Sequence, residues 1–136
     1  NLEILDLSYN NLNDSILLSL SELSSLRYLD LSHNRFEGSS HPRGKLRKKT
    51  NKYFTQINSG FHWFSKFTKL ETLDLCYNSL KNSILFHMRN LSSLKTLRLS
   101  NNQLEGRLLH IQELNNLIGL NYLDLSYNNI ESISNQ

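Results

Sequence analysis

The sequence predicts an α/β solenoid, a horseshoe segment with a short parallel sheet on its concave face and 3₁₀ or helical turns on its convex side. Three observations lead there. A pattern of leucines ending in an asparagine recurs along the chain, apolar and polar residues alternate within each copy, and apolar residues at threefold spacing run into the next copy. Internal repetition at periods of about 20–50 residues marks stacked architectures, in which no unit can bury its apolar face alone.

Leu2, Leu26, Leu70, Leu94 and Leu120 open the copies. From each, an apolar residue follows at three, five and ten positions and an asparagine at eight, giving Leu5, Leu7, Asn10 and Leu12 in the first copy. The second carries Leu29, Leu31, Asn34 and Phe36, and the third Leu73, Leu75, Asn78 and Leu80. The fourth carries Leu97, Leu99, Asn102 and Leu104, and the last Leu123, Leu125, Asn128 and Ile130. The starts are 24, 44, 24 and 26 residues apart, so the 44 reads as one coil with about twenty extra residues. Residues 1–136 are thus expected to form a single array of five copies. Residues 41–60 form a basic insert loop within the second.

Each copy should open on a strand, because leucines two apart with polar residues between them bury one face of an extended chain. The asparagine sits where the chain leaves the strand. Its amide can satisfy backbone groups that the turn would orphan, so Asn10, Asn34, Asn78, Asn102 and Asn128 are expected to form a structural ladder. The return segments follow, with Leu20, Leu23 and Leu26; Phe64, Phe67 and Leu70; Met88, Leu91 and Leu94; and Leu114, Leu117 and Leu120. Spacing by three suits 3₁₀ or short helical turns. Five copies exceed the roughly three a stable array needs. Neither end carries a polar capping element, so a section of a longer solenoid is expected.

The segments LEILDLSYNNL, LRYLDLSHNRF, LETLDLCYNSL, LKTLRLSNNQL and LNYLDLSYNNI resemble the plant-specific class of leucine-rich repeat, found in the extracellular domains of receptor-like proteins and receptor-like kinases. The likeness covers nearly the whole chain outside residues 41–60. That class places a glycine and then an Ile-Pro pair after the asparagine turn. The glycine is present as Gly38 and Gly106 and replaced by Asp14, Asn82 and Ser132. Ile16, Ile84 and Leu108 hold the isoleucine place, Ser40 and Ser134 do not, and the only proline, Pro42, lies in the insert. The pattern is closer to middle repeats of receptor-like proteins than to the regular arrays of the kinases.

The resemblance implies that strand residues on the concave face bind the ligand. At two positions past each opening leucine lie Ile4, Tyr28, Thr72, Thr96 and Tyr122; at four, Asp6, Asp30, Asp74, Arg98 and Asp124; at seven, Tyr9, His33, Tyr77, Asn101 and Tyr127. Of these, Tyr28, Asp30, His33, Thr72, Asp74, Tyr77, Thr96, Arg98, Tyr122, Asp124 and Tyr127 are the candidate ligand-binding residues. Tyrosines beside a carboxylate column suit a peptide or protein with basic groups. The alternative is that LDLSYN is common repeat sequence whose Asp and Tyr are simply solvated.

Arg43, Lys45, Arg47, Lys48, Lys49 and Lys52 crowd the insert, whereas the net charge of the chain is only +3, so the rest is acidic on balance. The insert is read as a solvated loop, a stretch of retained non-coding sequence, or a basic patch for acidic surfaces or nucleic acid; KLRKK alone is a weak signal. Asn13-Asp14-Ser15 and Asn90-Leu91-Ser92 are glycosylation sequons, Asn90 the better placed at a return segment. Cys76, the only cysteine, stands where the sister copies have serine, and a small, partly packed thiol is expected. His33, His41, His62, His87 and His110 lack metal-ligand spacing, no glycine motif cradles phosphate, and no serine sits in a nucleophile motif. His62, Trp63 and Phe64 read as packing.

A recognition module without catalytic residues, cofactor or metal is therefore expected. Its partner would be a peptide or protein, with a co-receptor as a further candidate, and no nucleic acid. The resemblance implies signal perception at the extracellular side of the plasma membrane, with the membrane reached only through other parts of the parent chain. An intracellular leucine-rich repeat scaffold and a secreted enzyme inhibitor of the same repeat type are the alternatives.

Overall fold

Parallel strands in strict register dominate the computed structural model, which describes residues 1–38, 63–107 and 112–131. The insert at 41–60 lies outside the described residues, as do Ser40, His62, Leu108, His110, Ser132 and Ser134. In chain order the strands are β1 (Ile4–Asp6), β2 (Tyr28–Asp30), β3 (Thr72–Asp74), β4 (Thr96–Arg98), β5 (Glu105–Arg107), β6 (Tyr122–Asp124) and β7 (Asn129–Glu131). Strands β1, β2, β3, β4 and β6 form one parallel sheet in that order. Leu5, Leu29, Leu73, Leu97 and Leu123 are register partners from strand to strand. The 44-residue interval leaves no offset, since Leu29 pairs directly with Leu73.

The leucines point inward because the pleat sends alternate side chains to opposite faces. Leu29, Leu31, Leu73, Leu97 and Leu99 are fully buried, and Leu26, Leu70 and Leu94 seal the coils behind them. Each such leucine contributes roughly 1.5–3 kcal/mol relative to exposure. Leu5 and Leu7 in the first coil, and Leu125 in the last, are only partly buried, and Leu123 is 41% exposed. Burial here comes from a neighbour on each side.

The return segments are short turns, as the threefold spacing predicts: a 3₁₀ turn at Asp14–Ile16 running into helix α1 (Leu17–Leu20), helix α2 (Ile84–Met88), and a 3₁₀ turn at Gln112–Asn116. Trp63 and Phe64 are buried, with the Trp63 ring stacked on His87 at 4.5 Å.

Four of the asparagines after the strands tie two coils together. Asn78 Nδ2 donates to Leu31 O across the coil boundary and to Leu75 O within its own coil, while its Oδ1 accepts from Phe36 N. Asn34, Asn102 and Asn128 repeat this arrangement. Asn10 differs: its amide donates to Leu7 O and Ser8 O, both within its own coil.

Two features go beyond the leucine spacing. At two of the positions where the glycine is replaced, the substitute side chain links coils. Asp14 Oδ1 accepts from Glu37 N at 2.9 Å, and the Asn82 amide both donates to Glu105 O and accepts from Glu105 N at 2.9 Å. In addition, β5 and β7 pair in parallel as a second, two-stranded sheet, with Gly106 opposite Ile130.

Candidate recognition face

The outward residues of the main sheet stand in columns because the register carries no shift between strands. Ile4, Tyr28, Thr72, Thr96 and Tyr122 form one column; Asp6, Asp30, Asp74, Arg98 and Asp124 form the next. Adjacent members are about 4.8 Å apart along the sheet.

The aspartates have a structural task as well as a charge. Oδ1 of Asp30 accepts from the backbone N–H and the hydroxyl of Ser32, and Asp6 and Asp124 do the same with Ser8 and Ser126. Asp74 accepts from Cys76 N. One oxygen of each carboxylate thus closes the turn at the strand end. These bonds from Ser126 hold Asp124 below the usual carboxylate range, and those from Ser8 do the same for Asp6. Arg98 reaches Oδ2 of both Asp74 and Asp124 at 3.8 Å, and the Asp74 charge raises its pKa. The single cation of the column is therefore bracketed by two of its anions. Burial, with Asp30 next in effect, pushes the Tyr28 phenol above its ordinary pKa.

The third column follows the strands. Tyr9, His33, Tyr77, Asn101 and Tyr127 all have left-handed backbones, with φ between 53° and 57°. Their N–H groups extend the sheet ladder, Tyr77 N donating to Ser100 O at 3.0 Å and His33 N to Cys76 O at 2.9 Å. Such a backbone costs a non-glycine residue roughly 1–2 kcal/mol, offset here by the asparagine bonds that lock the following residue. The rings stack. Tyr9 and His33 lie 3.9 Å apart with planes 11° from parallel, and His33 and Tyr77 lie 4.3 Å apart at 14°. Asn101 interrupts the row, and Tyr127 stands beyond it, 80% exposed. Around Asn101 lies an open cleft of about 630 Å³, walled by His33, Tyr77 and Tyr127 and floored by the ladder residues Asn34, Asn78 and Asn102.

The structure therefore brings the eleven candidate residues to one face, with roles for several that composition could not show. A charged row beside them lies outside the columns expected from the sequence: Arg27 pairs with Glu3 at 3.8 Å and with Glu71 at 3.5 Å. Opposite charges one position past the opening leucines were the available signal. Cys76 is buried rather than partly packed; Ser100 Oγ donates to its sulfur at 3.0 Å, and burial raises the thiol pKa. Asn13 and Asn90 are both exposed, Asn13 capping the first 3₁₀ turn. Among the described residues no cluster of side chains could hold a metal ion, and no helix is long and apolar enough to cross a membrane.

The family profile described as Leucine Rich Repeat matches residues 25–44, 69–91, 93–117 and 119–136, and a second of the same description matches residues 1–21. Receptor-like protein 39 of Arabidopsis thaliana is 38% identical over 124 residues, covering 85% of this chain and 14% of that protein. Receptor-like protein EIX1 of Solanum lycopersicum is 39% identical over 113 residues, covering 79% of this chain and 11% of that protein. The chain thus spans only a small part of the length of these curated relatives. Among solved structures, the mouse RP105/MD-1 complex superposes with a TM-score of 0.67 at 24% identity, covering 98% of this chain and 19% of that one. A TDR receptor superposes at 0.50 with 23% identity, covering 96% of this chain and 23% of that one. Both share the fold.

Proposed function

The chain belongs to the leucine-rich repeat family, and from its likeness to plant receptor-like proteins we propose that it is a ligand-recognition section of a cell-surface receptor, acting in signal perception. The partner is a peptide or protein, and a co-receptor can share the surface. The observation that supports this reading best is the sheet face itself. Zero-shift pairing places Tyr28, Asp30, Thr72, Asp74, Thr96, Arg98, Tyr122 and Asp124 in two adjoining columns that remain partly or fully open to solvent.

The chemistry suits binding rather than bond-making. Tyrosines offer large rigid contact area, and bracketed charges offer orientation. The extracellular placement rests on the relatives and agrees with two exposed sequon asparagines.

Peptides selected from a displayed random library on the purified protein test the reading. Asp30→Asn and Tyr122→Ala are expected to weaken their binding by about tenfold or more, while Ser19→Ala and Lys66→Ala on the return segments leave it unchanged. Failure to enrich any peptide, or peptides sensitive only to the return-segment changes, would overturn it. Secretion from plant cells should add glycans at Asn90 and Asn13, seen as mass lost in N90Q and N13Q; unmodified asparagines would count against the extracellular side.

A further inference from the structure

We propose that the Asn101 position is a socket for an aromatic side chain of the partner peptide, held between the rings of Tyr77 and Tyr127. The inference rests on the sheet face being the recognition surface and adds the chemistry of one contact.

The ring column is a stack with one ring missing. Tyr9, His33 and Tyr77 lie face to face, one ring per strand. Asn101 has the same backbone conformation as Tyr77, with φ of 57° at both, and its strand is in register with its neighbours. A ring at 101 would therefore leave the chain as the others do. An amide stands there instead, too short to cover its neighbours, and Tyr77 is 50% and Tyr127 80% exposed.

Shape selects a flat guest. Two strand spacings, roughly 10 Å, separate the residues on either side of Asn101, and the intact part of the row fits one ring per spacing at 3.9 and 4.3 Å. The interval leaves room for one more ring in the same row. Among flat groups, an uncharged ring continues the chemistry of the row formed by Tyr9, His33 and Tyr77, and it needs no ion pair, since Arg98 and the flanking Asp74 and Asp124 already engage one another. Asn101 Nδ2 reaches Ser100 Oγ only at 3.5 Å, so its amide is available to a phenol or indole N–H at the socket floor. Tyrosine or tryptophan is the side chain that satisfies all three conditions.

N-acetyl-tyrosinamide and N-acetyl-tryptophanamide are suitable probes, followed by NMR of the protein's tyrosine ring protons. Saturable upfield shifts are expected at Tyr77 and Tyr127 and not at Tyr9. Asn101→Tyr, which completes the stack, should weaken the response about tenfold or more; Asn101→Ala, which leaves the socket open and removes only the amide, should weaken it by about threefold or less. If the tyrosine variant fails to fold, Asn101→His, which places at 101 the ring type already stacked at His33, serves the same purpose. Absence of saturable shifts in the wild type, an undiminished response on filling the socket, or equal shifts from N-acetyl-argininamide or methyl glucoside would overturn the proposal. Library peptides that depend on Asp30 and Tyr122 yet tolerate loss of every aromatic residue would sink the socket alone. Loss of that dependence would sink the face reading as well.

Discussion

Asn102 donates to the carbonyls of Leu75, Leu99 and Ser100 and accepts from Leu80 N–H, all within the buried interior. An alanine there would leave backbone groups of two coils without partners, and each buried orphan costs roughly 1–3 kcal/mol. Asn102→Ala is therefore expected to lower stability by about 3 kcal/mol or more in denaturant unfolding. Asn10→Ala, losing two solvent-exposed bonds within one coil, should cost under about 1 kcal/mol. Equal costs would mean that the cross-coil bonds contribute nothing. The asparagine ladder was legible in the sequence because its period equals that of the leucines. The double duty of the aspartates was harder to see: each carboxylate closes a turn through Ser8, Ser32, Cys76 or Ser126 two residues on, and only geometry separates that oxygen from its partner.

At the scale of the elements, Gly38 and Gly106 share a positive φ but not an environment. A Cβ at Gly38 would meet Ile84 Cβ at 3.0 Å and Leu80 Cδ2 at 3.2 Å, whereas at Gly106 it would meet nothing within 4 Å. Gly38→Ala should thus cost about 2–3 kcal/mol, backbone strain plus a clash with α2, and Gly106→Ala about 1 kcal/mol, strain alone. Matching melting temperatures for the two variants would contradict this. The same positions show where sequence reading stops. Alternating leucines announce the main sheet, since burial of one face is written in a period of two. Asp14 and Asn82 look like lapses from the glycine pattern, yet their side chains link neighbouring coils. The β5–β7 pair is equally silent, because Glu105, Gly106 and Arg107 carry no apolar alternation and the strand follows from how the coils already lie. The ring stack is hidden for a different reason: it depends on left-handed backbones at Tyr9 and Tyr77, which tyrosine does not favour, as well as at His33.

The whole array holds together by contacts between neighbours, so its stability should be uneven from coil to coil. Leu75 N donates to Arg98 O at 2.9 Å and Leu7 N to Asp30 O at 2.9 Å, but Leu75 is fully buried between coils while Leu7 is only partly covered. Because the two bonds have the same length, any difference in amide exchange reports the surroundings. Leu75 is expected to exchange about tenfold slower or more than Leu7; equal rates would show the array opening as one unit. Zero-shift pairing also sets a measuring scale. Strands repeat about every 4.8 Å across the sheet, while an extended peptide advances about 3.3 Å per residue, so three residues of the visitor match two strands of the host. A chain lying across the strands would present every third side chain to every second coil, like marks on a vernier that coincide at regular intervals.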